Sequence, residues 1–174
     1  MQVQLEQVRQ KPFSWKEIRH IPVERLARSE VLELGSVTWQ GRLIHAVSGF
    51  HLKASVAYEQ TVECMRCLQP LVQAIESEVE LMIFIERAEA SPGEHELAAS
   101  DLGVLFLESD ILDTELILME QLHLNVPMRA TCSEDCKGLC PQCGTSLQND
   151  SCDCDTAPID LRWAGLSELR DRLE

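Results

Sequence analysis

Eight cysteines grouped in four close pairs constrain this chain more than any other feature of its sequence. The pairs are Cys64-Met-Arg-Cys67, Cys132-Ser-Glu-Asp-Cys136, Cys140-Pro-Gln-Cys143-Gly144 and Cys152-Asp-Cys154. A two-residue spacing lets both sulfurs face one ion at about 2.3 Å. In the C-P-x-C-G form the backbone N–H groups of the turn can donate to the thiolates, and Gly144 can take the positive φ that a tight turn often needs. Four thiolates saturate a structural zinc, so the eight predict about two zinc ions with no open coordination position, which argues against hydrolytic metal chemistry. Two groupings satisfy the spacing. One makes a compact site of Cys140, Cys143, Cys152 and Cys154 and joins Cys64 and Cys67 to Cys132 and Cys136, stapling the tail to the rest of the chain. The other exchanges partners and sets Cys64 and Cys67 with Cys140 and Cys143, like the two knuckles of a zinc ribbon. Zinc is expected over a rubredoxin-like iron because only the Cys140 pair carries the C-P-x-C-G form.

The ligand reading depends on compartment. No run approaches 18 apolar residues, and the first thirty residues lack a signal peptide's apolar stretch and cleavage site, so a cytoplasmic protein is expected. Thiols in a reducing compartment read better as metal ligands than as disulfides. The formal net charge of −14 opposes loose adhesion to nucleic acid or an anionic membrane and favours basic partners. No membrane partner and no small-molecule substrate is expected. Nor is an enzyme, since no Gly-x-Ser-x-Gly, Walker loop, Rossmann glycine triplet or His-Glu-x-x-His occurs and no catalytic set can be assembled.

The predicted fold class is α+β: an antiparallel β-rich core with a packed helix and a zinc-stapled, cysteine-rich C-terminal segment. Residues 1–130 form the core domain with an N-terminal extension, and 131–174 the zinc-binding segment. From Val31 to Ile85 the pattern is strand-like, with a hairpin turning at Ser48-Gly49 and a long strand from Leu71. Residues 87–101 read as a surface loop and Val104 to Leu107 as a short strand. Asp110 or Asp113 can cap a helix reaching about Leu124, apolar over most of its circumference and so suited to burial against the sheet. From Thr131 to Asp155 only Leu139 and Leu147 are large and apolar, too little to order a backbone that costs about 1–2 kcal/mol per residue to fix. Ala164 to Leu173 has the spacing of a short closing helix. His123 reads as a core or interface histidine.

Charge is uneven along the chain. Residues 76–120 hold thirteen carboxylates against Arg87 alone, either a solvated face or a landing surface for a basic protein. The cations concentrate between Arg9 and Arg28. Arg9, Lys11, Trp15, Arg19 and Arg66 are therefore the candidate contacts to RNA or a partner, with Trp15 able to stack on a base. Arg66, between paired cysteines, reads either as an exposed contact or as a turn residue screening the thiolates.

The string C-x3-C-x-G-L-C-P-x-C-G from Cys132 to Gly144, preceded by Cys64-x-Arg-Cys67 and by a Leu-rich helix ending in Val126-Pro127, closely resembles the bacterial YceD family. The resemblance covers roughly residues 50 to 172. It implies a role in accumulation of the large ribosomal subunit's 23S rRNA, through synthesis, processing or stability, and a gene setting beside that of a small basic ribosomal protein. Some members keep the Cys-x-Arg-Cys element without the cysteine-rich tail, which implies a stabilising role for the tail. The expected function is a noncatalytic ribosome-assembly factor binding a ribosomal protein or pre-large-subunit ribonucleoprotein. Direct rRNA contact is its weaker version. The alternative is a thiol-based redox or zinc-sensing protein that uses Cys64 and Cys67.

Overall fold

A computed structural model describes residues 1–28, 30–85, 103–148 and 150–154. The chain divides into two compact units. The first contains Met1–Glu63 and Pro70–Ala130; the second joins Cys64–Gln69 to the chain from Thr131 onward.

The first unit is organised by two long strands whose alternation is visible in the sequence. Strand β5, Gly49–Glu63, alternates buried and accessible residues along most of its length, as a strand covered on one face must. It pairs antiparallel on one side with β4, Val37–Ala46, through the expected turn at Ser48-Gly49. On the other side it pairs antiparallel with β6, Pro70–Ile85, in unbroken register from Phe50↔Ile83 to Glu63↔Pro70. Strand β3, Val31–Leu34, pairs with the end of β5 across a bulge. One expectation needs correcting: β7, Val104–Leu107, lies parallel to β6, so the sheet is mixed. A parallel neighbour needs a crossover, and the long stretch of chain between Ile85 and Val104 leaves room for one.

The N-terminal residues are part of this fold. Strand β2, Phe13–Arg19, forms the sheet edge beside β4, and β1, Gln2–Gln4, pairs with β8, Ile111–Asp113. Between β1 and β2, helix α1, Leu5–Gln10, buries Leu5 and Val8. Helix α2, Thr114–Leu124, starts where expected: the Asp113 carboxylate accepts from the Glu115 amide at 2.9 Å. It buries Thr114, Ile117, Leu118 and Leu122, and the last three join Trp39, Leu43, Leu52, Val56 and Ile83 of the sheet in one core. The expected burial against the sheet is found on one face of the helix only. Leu116 and Leu124 are exposed, one turn either side of exposed Glu120, because residues four apart share a face and this one points away from the core. His123 ties α2 to the 3-10 turn at Val23–Leu26: its Nδ1 lies 2.6 Å from the Met119 carbonyl and its Nε2 3.0 Å from that of Leu26.

The core face includes one close approach. Trp15 on β2 faces Gly41 on β4, and a Cβ at Gly41 would lie 2.5 Å from the indole and 3.0 Å from the Ala54 Cβ. Glycine is required there by space. Replacing Gly41 by valine should lower the urea midpoint by an amount equivalent to about 2 kcal/mol, the scale of overpacking a core. An unchanged midpoint would show that the indole swings aside freely.

Candidate metal centres

The eight cysteines converge as two tetrads within the second unit: Cys64, Cys67, Cys132 and Cys136, and Cys140, Cys143, Cys152 and Cys154. In each, all four sulfurs lie within 4.8 Å of one another. The first grouping read from the sequence is thus the one found, and the zinc-ribbon exchange is not. The fit to a metal can be tested on geometry. Four sulfurs around one ion at about 2.3 Å stand about 3.8 Å apart along each tetrahedral edge. Here Cys64 Sγ is 3.9 Å from Cys136 Sγ, and Cys67 Sγ is 3.7 Å from Cys132 Sγ.

Electrostatics make the same point. Burial opposes ionisation of Cys64, but N–H groups of Cys67, Cys132 and Arg66 donate to its sulfur and bring its pKa down to about 6. Its neighbour Cys132 is pushed up to about 12, first by its hydrogen bond with Cys136 and then by desolvation. In the second tetrad the Thr145 hydroxyl, 3.3 Å away, and the Thr145 amide bring Cys143 down to about 6. Cys154 is raised to about 12, chiefly by its hydrogen bond with Cys143. One sulfur ionises at the expense of the next, as crowded like charges must without a cation. A dication bound there would neutralise much of that charge and hold the loops together.

The first cysteine pair of each tetrad forms the same turn. At Cys140 the amide donates to the Thr145 carbonyl at 2.8 Å and the Gly144 amide to the Cys140 carbonyl at 2.9 Å. At Cys64 the amide donates to the Gln69 carbonyl at 2.9 Å and the Leu68 amide to the Cys64 carbonyl at 2.9 Å. Gly144 has φ +73, as its motif predicts, with no atom within 4 Å of where a Cβ would stand. Leu68 holds the matching position at φ +59. For a residue with a Cβ that conformation costs roughly 1–2 kcal/mol. Leucine where glycine marks the motif is why sequence reading found only one knuckle.

A family model described as large ribosomal RNA subunit accumulation protein YceD matches residues 52–170, a span containing both tetrads. The chain belongs to the YceD family. Among curated relatives, an uncharacterized protein of Mycobacterium tuberculosis is 30% identical over 122 residues, covering 70% of this chain and 56% of the relative. The chloroplastic large ribosomal RNA subunit accumulation protein YCED homolog 1 of Zea mays is 26% identical over 140 residues, covering 63% of this chain and 44% of that protein. Its Arabidopsis thaliana counterpart is 30% identical over 63 residues, covering 36% and 20%. The chain spans about half the length of the first curated relatives it matches. No solved structure matches it.

In this YceD protein the structure places the other candidate residues as follows. Arg66 sits at the first knuckle, its Nη1 donating to the carbonyls of Glu134 at 3.0 Å and Cys136 at 2.9 Å. It therefore holds the 132–136 loop against the Cys64 turn, a positioning role for which the sequence offered no signal. A Cβ at Gly138 would stand 3.0 Å from the Arg66 carbonyl, so the loop passes that turn closely. Trp15 packs against Phe13 and Trp39, with ring centroids 5.9 and 5.7 Å apart. Arg19 bonds Glu17 at 3.1 Å and Glu115 at 3.4 Å, and Arg25 meets the same Glu115 at 2.9 Å. Arg9 lies 3.6 Å from Glu6 and over the Phe50 ring at 5.9 Å, while Lys11 is exposed at the end of α1.

If each tetrad takes one ion, protein purified reduced and without chelator will contain about two zinc ions per chain by elemental analysis. Cys143→Ser should lose one of them and leave the first unit's circular dichroism intact. Global unfolding of that variant would show that the sheet depends on the second site.

Proposed function

We propose that this YceD protein is a noncatalytic assembly factor that supports accumulation of 23S rRNA and the large ribosomal subunit by binding a basic ribosomal protein or a pre-large-subunit ribonucleoprotein. The observation carrying this reading is the family match over residues 52–170, joined by the names of the plant relatives. The chemistry of the tetrads supports the noncatalytic part, since an ion held by four thiolates keeps no open position for substrate or water. We take that ion to be zinc, in a structural role.

Charge supports a basic partner. Glu76, Glu78 and Glu80 alternate along β6, so they share one face of the strand, and all three are exposed. Glu80 is partly balanced by Lys53 at 3.0 Å and lies 2.7 Å from His51, whereas Glu108 and Asp110, after β7, are exposed. Direct rRNA contact is less favoured because Arg9, Arg19 and Arg25, the cations it would use, are already engaged with carboxylates. The thiol-redox alternative meets a steric obstacle: Cys64 and Cys67 are only 0% and 4% exposed, closed to an attacking thiol or peroxide. A reducing compartment such as the cytoplasm suits eight thiols held for metal.

The test is electrostatic. Converting Glu76, Glu78, Glu108 and Asp110 to their amides should weaken retention of large-subunit material several-fold without unfolding the protein, and wild-type retention should fall as salt rises. Mature 23S rRNA should drop in cells relying on that variant. Loss confined to a variant lacking Arg9, Lys11, Arg19, Arg25 and Arg28, with the acidic variant fully active, would replace protein docking by RNA contact.

A further inference from the structure

The two knuckles share hydrogen bonds and backbone sign but differ at the left-handed position, and that difference has no explanation inside the fold. Gly144 takes its left-handed conformation freely, as glycine does. Leu68 takes the same conformation against the preference of any residue with a Cβ. Packing does not account for the leucine, whose side chain is 57% exposed. Hydrogen bonding does not either, because the bond Leu68 makes to the Cys64 carbonyl uses its backbone amide and is matched by Gly144. Met65, on the same knuckle, is 59% exposed. Single exposed apolar residues are ordinary; one kept at a strained position that glycine would fill more comfortably is not.

From this we infer that the tip of the first knuckle, Met65 and Leu68, is a docking surface for a basic protein of the large ribosomal subunit. The inference rests on the proposed function and adds the place of contact. The charge around the tip selects the partner's chemistry. The 132–136 loop, held against this knuckle by Arg66, presents exposed Glu134 and Asp135. From residue 131 to 154 the sequence carries Lys137 as its only Lys or Arg against Glu134, Asp135, Asp150 and Asp153. Each tetrad, if four thiolates surround a dication, would add a charge of about −2. Arg66 is exposed, but its guanidinium donates to two backbone carbonyls of the 132–136 loop. Phosphate is repelled by such a neighbourhood. A surface bearing lysine or arginine beside an apolar socket is drawn to it, with Met and Leu supplying the desolvated contact and the carboxylates its rim.

The strain itself provides a variant with opposite expected effects on structure and binding. Leu68→Gly relieves the backbone and removes the side chain. We would measure its zinc retention against a chelator, and its affinity for the RNA-free protein fraction extracted from purified large ribosomal subunits, with protein-free 23S rRNA as the second probe. Leu68→Gly should hold zinc at least as well as wild type while affinity for the protein fraction falls about tenfold, as for a contact at the centre of an interface. Met65→Ser should bind more weakly too, and Glu134→Lys with Asp135→Lys should bind more weakly still. If the wild type binds the protein fraction and Leu68→Gly binds it equally, the knuckle tip is not the contact, and the proposed function stands without it. If Leu68→Gly loses zinc, the leucine serves the knuckle and the inference fails. If the wild type ignores the protein fraction, both the inference and the protein-docking reading fall; selective binding of 23S rRNA would then put RNA in the partner's place.

Discussion

Repulsion among closely spaced sulfurs governs the second unit. Two sets of four thiols are gathered within 4.8 Å, with backbone amides aimed at Cys64 to favour its charged form while Cys132 beside it is driven the other way. Such an arrangement is frustrated until a cation enters and satisfied once one does. Much of the unit serves that end: two matching turns, a glycine and a leucine in left-handed conformation, and an arginine whose guanidinium grips the loop bringing the other two ligands of the first tetrad. With only Leu139 and Leu147 as large apolar residues between 131 and 154, a bound metal would take the place that a hydrophobic core fills in the first unit.

The sequence was most informative where one physical rule dominated. The alternation of β5 and β6 and the turn at Ser48-Gly49 follow from burying one face of a strand, and the Asp113 cap from satisfying a free amide. Cysteine spacing left two groupings open, and the one found keeps Cys140, Cys143, Cys152 and Cys154 together. It was least informative where a residue answered to two demands. Phe13–Arg19 alternates as an edge strand should, but Arg19 reads as part of a nucleic-acid patch because one of its carboxylate partners, Glu115, comes from far along the chain. The parallel placement of β7 is a matter of chain path rather than composition, and the period of a strand says nothing about its direction. Leu68 hid a knuckle because the pattern for that turn is written in glycine.

The same distinction separates the two kinds of charge in the first unit. Arg19, Arg25 and the N-terminal amine converge on Glu115 and Asp113 at the start of α2, where negative charge also suits the helix dipole, and both carboxyl pKa values are lowered there. Those cations belong to the architecture. The carboxylates of Glu76 and Glu78 on β6, and of Glu108 and Asp110 after β7, are exposed instead. Within a chain whose net charge is −14, Arg9, Arg19, Arg25 and Lys53 are thus paired with carboxylates of the chain itself.

The first tetrad draws its ligands from chain segments made at different times. Cys64 leaves the ribosome 68 residues ahead of Cys132, an interval of roughly 3–14 s at ordinary translation rates. During that interval the first knuckle can exist only as a half-site of two thiols, weak in its hold on metal and open to oxidants. The second tetrad, whose four ligands fall between Cys140 and Cys154, is complete almost as soon as it begins to emerge. A newly made chain therefore carries Cys64 and Cys67 without Cys132 and Cys136 while the last two strands of its sheet, β6 and β7, are being synthesised.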